Sequence, residues 1–183
     1  EYIAFLASDD LWLEDRLSRQ LEFMEKNLNV GMVFSDAWFL QHHTKTDIKW
    51  SDYKPEIRKY FKNCIQNTNI YTLLLTQAII PALTVMIRRN VFTEVGFFDE
   101  NLIYEDDDMW LRIAWKYPIA YIDMPLALYR LHDHNISSNS LFMLKGMVQT
   151  ISKHLKMEQF TNKPIMKFII VYRLAFNILR HRI

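Results

Sequence analysis

The spacing of apolar positions changes character several times along the chain. Ile3-Ala4-Phe5-Leu6 is a short uninterrupted apolar run, the pattern of a strand buried on both faces. Leu13, Leu17, Leu21 and Met24 then recur at helical spacing, which predicts a helix over 14–27 that stops at Asn27 to Asn29. A second strand is expected over 31–40, rich in Val, Phe and Trp. Residues 42–69 are polar, aromatic and irregular, and read as a long excursion with short helices inserted at the surface. A core-facing helix is expected over 71–78 and a strand over 83–87, closed by Arg88 and Arg89. Residues 91–95 read as a short helical turn, capped by Gly96 in a left-handed conformation. Met109, Trp110, Ile113 and Ala114 mark the apolar face of a helix that starts near Glu105 and ends near Tyr117-Pro118. Two strands follow, 119–122 and 126–131, joined around Met124-Pro125. After a polar stretch over 132–140, residues 141–183 read as helical, with a break at Asn162-Lys163-Pro164.

Alternation of strands and helices predicts an α/β fold. In α/β sheets ligands bind beyond the carboxyl ends of the strands, and that is where the acidic residues fall. Asp9 and Asp10 follow the first strand directly. Two adjacent carboxylates there repel each other, and make sense where a divalent cation and a phosphate-bearing ligand arrive. A hard cation takes oxygen ligands and leaves positions open for phosphate oxygens. Asp9, nearest the strand end, suits that role, whereas Asp10 suits an N-cap for the helix that follows. Glu105-Asp106-Asp107-Asp108 opens the later helix, where the macrodipole favours acids. Asp108 and Arg112 are spaced to pair on that helix. Asp106 and Trp110 share a face, an arrangement suited to stacking a sugar ring beside a general base. Asp107 reads as solvated. His132 ends the last strand and reads either as a metal ligand or as a structural residue. His42 and His43 read as surface.

Composition narrows the chemistry. Three glycines cannot build a Gly-rich phosphate loop, so phosphate handling falls to metal and side chains. A net charge of +1 gives no argument for nucleic acid. One cysteine, Cys64, excludes an internal disulfide framework and fits a reducing, cytoplasmic setting. Residues 141–183 carry eight Lys or Arg and one Glu. Two readings of this segment stay open: a helical tail packed on the domain, or a basic amphipathic helix on the inner face of an anionic membrane.

Taken together the blocks resemble one family. Phe5-Leu6-Ala7-Ser8-Asp9-Asp10-Leu11-Trp12 is similar to the strand and turn carrying the DxD-type motif of family 2 glycosyltransferases of the GT-A fold. The segment 91–100 is similar to that family's approach to the acceptor site. Glu105-Asp106-Asp107-Asp108-Met109-Trp110-Leu111-Arg112 resembles its ED motif, and 125–132 resembles its strand ending in histidine. The resemblance covers 1–140 as a partial GT-A domain, which implies a mixed sheet flanked by helices, and leaves 141–183 as a basic amphipathic tail. It implies an inverting, metal-dependent transfer of a sugar from a nucleotide-diphospho-sugar to a glycan or lipid-linked acceptor, in surface polysaccharide assembly. It implies Mg²⁺ or Mn²⁺ as cofactor, with Asp9 as the metal-binding carboxylate and His132 as a second ligand or a diphosphate contact. Asp106 is the implied base, Ser8 and Asp10 lie on the donor side, and Glu105 and Trp110 on the acceptor side.

Two departures stand beside the resemblance. The first acid of the turn is Ala7 here, which predicts weaker donor binding. The family's preceding β-α-β units are not in the sequence, so a nucleotide-binding half is expected upstream of Glu1. The competing reading is a non-catalytic remnant or partner-binding fragment of the same fold.

Overall fold

In the computed structural model the described residues are 1–61, 65–66, 70–75, 77–132 and 139–156. The first strand, β1, is Tyr2–Ala4, and a two-residue strand, β2, follows at Leu11–Trp12. Helix α1 is Arg16–Lys26, shorter at both ends than its periodicity suggests. Strand β3 (Met32–Gln41) turns through His42 and His43 into β4 (Thr44–Lys49). Short helices α2 (Trp50–Tyr53) and α3 (Glu56–Tyr60), strand β5 (Ile65–Gln66) and helix α4 (Ile70–Leu74) follow. A 3₁₀ turn (Ala82–Thr84) leads to β6 (Met86–Arg88) and helix α5 (Val91–Val95). Gly96 ends α5 with φ 81° and ψ −178°, a region open to glycine and little else. Helix α6 (Glu105–Lys116), strand β7 (Ile119–Leu131) and helix α7 (Ser140–Leu155) complete the described elements.

The sheet has the order β1-β6-β3-β7-β2, with β4 beside β3 and β5 beside β7. β6 is antiparallel to both β1 and β3, and β3 is parallel to β7. The strands β1, β3 and β7 therefore point the same way, and their carboxyl ends share one edge. Between β3 and β7 lies α6, the crossover that a parallel pair requires. Running back against β7, α6 brings its N-terminal turn to that same edge. Its inner face carries Met109, Trp110, Ile113 and Ala114, all buried in a core shared with Met32, Phe34, Ile119 and Tyr121.

One expectation is corrected here and another is narrowed. The strands expected at 119–122 and 126–131 are one strand, β7, running through Pro125. The missing proline N–H costs little, because the outer neighbours β5 and β2 pair only with 119–120 and 127–128. The extra residues of β7 are absorbed at register shifts around Asp36. Asp36 is buried, and its carboxylate accepts from the Ala37 and Ser51 backbone N–H groups and from Ser51 Oγ at 2.9, 3.1 and 2.5 Å. The excursion at 42–69 is exposed over most of its described part, as a surface insertion should be, but not throughout. Ile57 and Phe61 are buried in the main core, each worth roughly 1.5–3 kcal/mol of transfer free energy. The helical segment expected over 141–183 is described over α7 and Lys156. There it packs on the core through Met147, Ile151 and Leu155. The break at 162–164 and the basic residues beyond it lie outside the described residues.

Candidate active site at the carboxyl edge of the sheet

The turn carrying Asp9 is anchored from behind. Trp12 donates its indole N–H to the carbonyls of Phe5 and Leu83, at 3.2 and 3.1 Å. Arg16, fully buried, reaches the carbonyls of Phe5 and Val85 and lies 4.0 Å from the Trp12 ring centre. Burial lowers the Arg16 guanidinium to a pKa of about 9. These contacts fix the end of β1 from which residues 7–10 turn.

Across the turn stands the end of β7. Asp9 Oδ2 lies 2.9 Å from His132 Nε2. The contact with His132 is the main reason the Asp9 carboxyl titrates below its usual range. Arg130 donates its backbone N–H to Asp10 Oδ1 at 2.8 Å and its Nε–H to the Asp9 carbonyl at 2.6 Å. Its Nη1 lies 3.5 Å from His43 Nδ1. His42 and His43 adopt φ of 47° and 67°, left-handed values uncommon outside glycine. The strands β1, β3 and β7 thus each send a residue into one cluster.

The acidic turn of α6 faces the same edge. Trp110, one helical turn after Asp106, packs its ring against Phe5, with centroids 6.1 Å apart. Phe5 is four residues from Asp9, so β1 and α6 are registered just below the edge. Asp106 is half-buried. Burial raises its carboxyl to about 6; the Asp107 N–H, 2.8 Å from Oδ1, pulls it down, and the charge of Glu105 pushes it up. Asp107 is half-buried too, against expectation, and is raised by burial and then by Asp106.

Of the residues singled out in the sequence, Asp9, Asp10 and His132 come together, and Ser8 and Glu105 are exposed at the edge. Asp10 is not a helix cap. Helix α1 begins six residues later with Asp15 at its N-cap, and Asp10 instead braces β7 through Arg130. It is buried, which raises its carboxyl to about 6. Trp110 offers no open ring face to a sugar: it is 1% exposed, enclosed by Phe5 and Phe98. Arg130 and His43 were missed. Arg130 carries a readable signal, because it stands two residues before His132 on a strand and so shares its face. His43 carries none, since its place depends on the β3–β4 turn.

The Asp9 carboxylate is the kind of ligand a small hard cation takes, whereas the His132 imidazole is more typical of transition metals. The 2.9 Å between Asp9 Oδ2 and His132 Nε2 is a hydrogen bond here, and it is also the separation of two cis ligands on an octahedral ion bound at about 2.1 Å. Among the described residues no group of three or more His, Cys, Asp or Glu could hold a metal. Mg²⁺ is commonly held by only one or two carboxylates, with phosphate oxygens and water completing its shell. A recess of about 830 Å³, lined by Tyr2, Leu28, Arg88 and Phe97 among others, opens at the opposite end of β1 and takes no part in this cluster.

The family profile described as glycosyltransferase-like family 2 matches residues 1–173. The chain belongs to this family. Among its relatives is the teichuronic acid biosynthesis glycosyltransferase TuaG of Bacillus subtilis, 34% identical over 142 residues, covering 75% of this chain and 50% of the relative. The Escherichia coli protein WfgD, a UDP-Glc:α-D-GlcNAc-diphosphoundecaprenol β-1,3-glucosyltransferase, is 28% identical, with 79% and 51% covered. An uncharacterised glycosyltransferase of Methanocaldococcus jannaschii is 29% identical, with 74% and 43% covered. The chain spans about half the length of these relatives. Its mixed sheet flanked by helices is the GT-A-like architecture the motifs implied. For a glycosyltransferase of this family, the cluster around Asp9 and the turn carrying Asp106 are the candidate active site.

Proposed function

We propose that the protein transfers a sugar from a nucleotide-diphospho-sugar to an acceptor hydroxyl, inverting the anomeric carbon, in assembly of a surface polysaccharide. The observation that carries this reading is the 2.9 Å pairing of Asp9 with His132 at the edge where α6 presents Asp106. Asp9 and His132 would hold Mg²⁺ or Mn²⁺. When bound, the ion supplies positive charge to the departing diphosphate. Ser8 at the exposed turn and the Arg130 guanidinium stand on the donor side, while Asp10 acts by bracing the turn. Asp106 takes the proton of the acceptor hydroxyl as that oxygen bonds to the anomeric carbon; the bond to the diphosphate breaks, and its electron pair leaves on the phosphate oxygen. A pKa near 6 leaves Asp106 ionised at neutral pH and more basic than an exposed aspartate. Glu105, exposed beside it, faces the acceptor. Kinship with TuaG and WfgD supports a glycan or lipid-linked acceptor. Among the described residues no helix is long and apolar enough to cross a membrane. The basic residues of the segment 141–183 are the proposed peripheral contact with the membrane that carries a lipid-linked acceptor.

Replacing Asp106 by Asn in the full-length protein tests this reading, with transfer measured from a panel of nucleotide sugars in Mn²⁺. The expected loss is roughly 10²–10⁴-fold, the range for a positioned base. Unchanged transfer removes Asp106 from that role. Ala7 favours a second reading, a non-catalytic remnant or partner-binding fragment of the same fold. A folded wild-type protein that transfers no sugar from the panel and binds UDP with Mn²⁺ only weakly would select it.

A further inference from the structure

Buried charges that sugar transfer does not use gather between α6 and α7. Asp108 is fully buried and takes three partners: Arg112 Nε at 2.9 Å, Lys153 Nζ at 2.9 Å and His154 Nε2 at 2.8 Å. His154, also fully buried, meets the Tyr71 hydroxyl at 2.7 Å through Nδ1. Lys153 reaches on to Asp99 at 2.8 Å. Asp108 is too well supplied with protein partners to be a ligand site. Its partners come chiefly from α7, and they arrive directly after the acidic turn.

The middle of α7 grips the chain directly before that turn. Gly146 packs so closely that a Cβ there would lie 2.7 Å from Ile103 Cγ2 and 2.7 Å from Tyr104 Cδ2. Glu105 and Asp106 are thus bracketed by α7 contacts at 103–104 and at 108. Locally the turn is held by the Asp107 N–H on Asp106 Oδ1, at 2.8 Å, and by the Asp108 N–H on the Tyr104 carbonyl, at 3.2 Å. Its N-cap, Tyr104, makes no side-chain cap bond, and four acids crowd the first helical positions. A helix start without a cap leaves backbone N–H groups unpaired and frays readily.

We infer that α7 is the frame that sets the catalytic base, with Gly146 and His154 as positioning residues that fix how α6 presents Asp106. The inference rests on Asp106 being the base. It makes residues 140–155 part of the catalytic domain and not a separable tail. Buried Asp108 then serves to hold the turn two residues away.

The test compares the full-length wild type with Gly146→Ala, His154→Leu, His154→Gln and Tyr71→Phe. Alanine raises intrinsic helix propensity, so an effect of Gly146→Ala reports lost docking and not a melted α7. Gln keeps an N–H donor for Asp108, whereas Leu removes it. Three readouts are used: the titration of the Asp106 carboxyl by NMR, amide exchange over residues 104–108, and affinity for UDP with Mn²⁺. Gly146→Ala and His154→Leu are expected to speed exchange in the turn roughly tenfold or more. They are expected to move the Asp106 midpoint down from about 6, while UDP affinity stays within about twofold. His154→Gln restores most of both. Should His154→Leu fail to fold, Gly146→Ala and Tyr71→Phe carry the comparison. A folded Gly146→Ala protein with unchanged exchange and unchanged Asp106 titration overturns the inference. The base itself fails separately: if Asp106→Asn transfers sugar normally while the α7 variants still loosen the turn, the frame stands and the base does not.

Discussion

Asp9 and Asp108 are both motif acids, both paired with histidine, and they are treated oppositely by the fold. Asp9 is 40% exposed in its side chain and meets His132 at 2.9 Å. Asp108 is fully enclosed and meets His154, Lys153 and Arg112. A carboxylate accepts about four hydrogen bonds. Asp108 has its capacity largely filled by the protein, and its environment has nowhere to admit a ligand. Asp9 keeps open lone pairs beside a histidine at the spacing of two ligands on one ion. On the proposed reading, the difference separates a structural acid from a functional one more clearly than either residue type or motif membership. It also explains why the two sites tolerate different costs. An enclosed charge must be satisfied by the fold, whereas a charge at the edge can wait for its partner.

The sharpest break in that comparison is removal of Asp108. Asp108→Ala leaves buried His154 without the carboxylate it meets and removes a carboxylate partner of Arg112 and Lys153. Breaking one side of a buried ion pair costs about 3–5 kcal/mol, against a typical total stability of about 5–15 kcal/mol. Urea unfolding of the variant is expected to show that loss or no folded protein at all. A loss below about 1 kcal/mol would mean that the α6–α7 network contributes little and that the contrast with Asp9 is one of exposure alone.

A milder test changes only pH. Burial alone would raise the Asp108 carboxyl, but the hydrogen bonds from His154 and Lys153, with the charge of Arg112, hold it at about 2. A folded pKa below the unfolded one means stability that is complete above the unfolded value near 4. It is lost as pH falls through about 2. The shift corresponds to about 2 kcal/mol. The wild type is expected to lose more stability between pH 4 and 2 than Asp108→Asn does, read as the difference in unfolding midpoint across that window. Parallel acid curves would show that Asp108 does not carry the acid sensitivity.

Most of this was legible where chemistry follows from neighbours in sequence. The α6 face at Met109, Trp110 and Ile113, the Asp108–Arg112 pair and the positive φ of Gly96 all rest on spacings of a few residues. The strand before Asp9 is legible too, but β1 is a half-buried edge strand over Tyr2–Ala4 and not the doubly buried run expected. What could not be read depends on distant partners. Asp10 looked like a cap because a helix follows it, yet its acceptor is taken by Arg130, brought in by β7. Trp110 looked like a sugar platform because it shares a face with Asp106, yet Phe5 and Phe98 close over its ring. Pro125 reads locally as a break, and only the gap between β5 and β2 on its outer side shows why the strand continues. His154 and Lys153 gave no signal, because their acceptor lies 46 and 45 residues away.

The smallest effect on stability is expected at the other member of the pair, and it is the one that separates function from fold. Asp9→Ala removes a half-exposed carboxylate whose fixed partner is a histidine at the surface. Exposed ion pairs are worth about 0–1 kcal/mol, and the turn itself is held by Arg16, Trp12 and the Arg130 contact to the Asp9 carbonyl, which alanine keeps. Thermal unfolding of the variant should therefore stay close to wild type. If Asp9 is a metal ligand, calorimetric titration of UDP should lose its enhancement by Mn²⁺ in the same variant. The two measurements together decide the matter. Unchanged stability with lost metal dependence places Asp9 at the site, whereas unchanged metal dependence removes it. A large drop in stability would instead make Asp9 a second Asp108, a structural acid near the surface, and would leave the metal without its ligand.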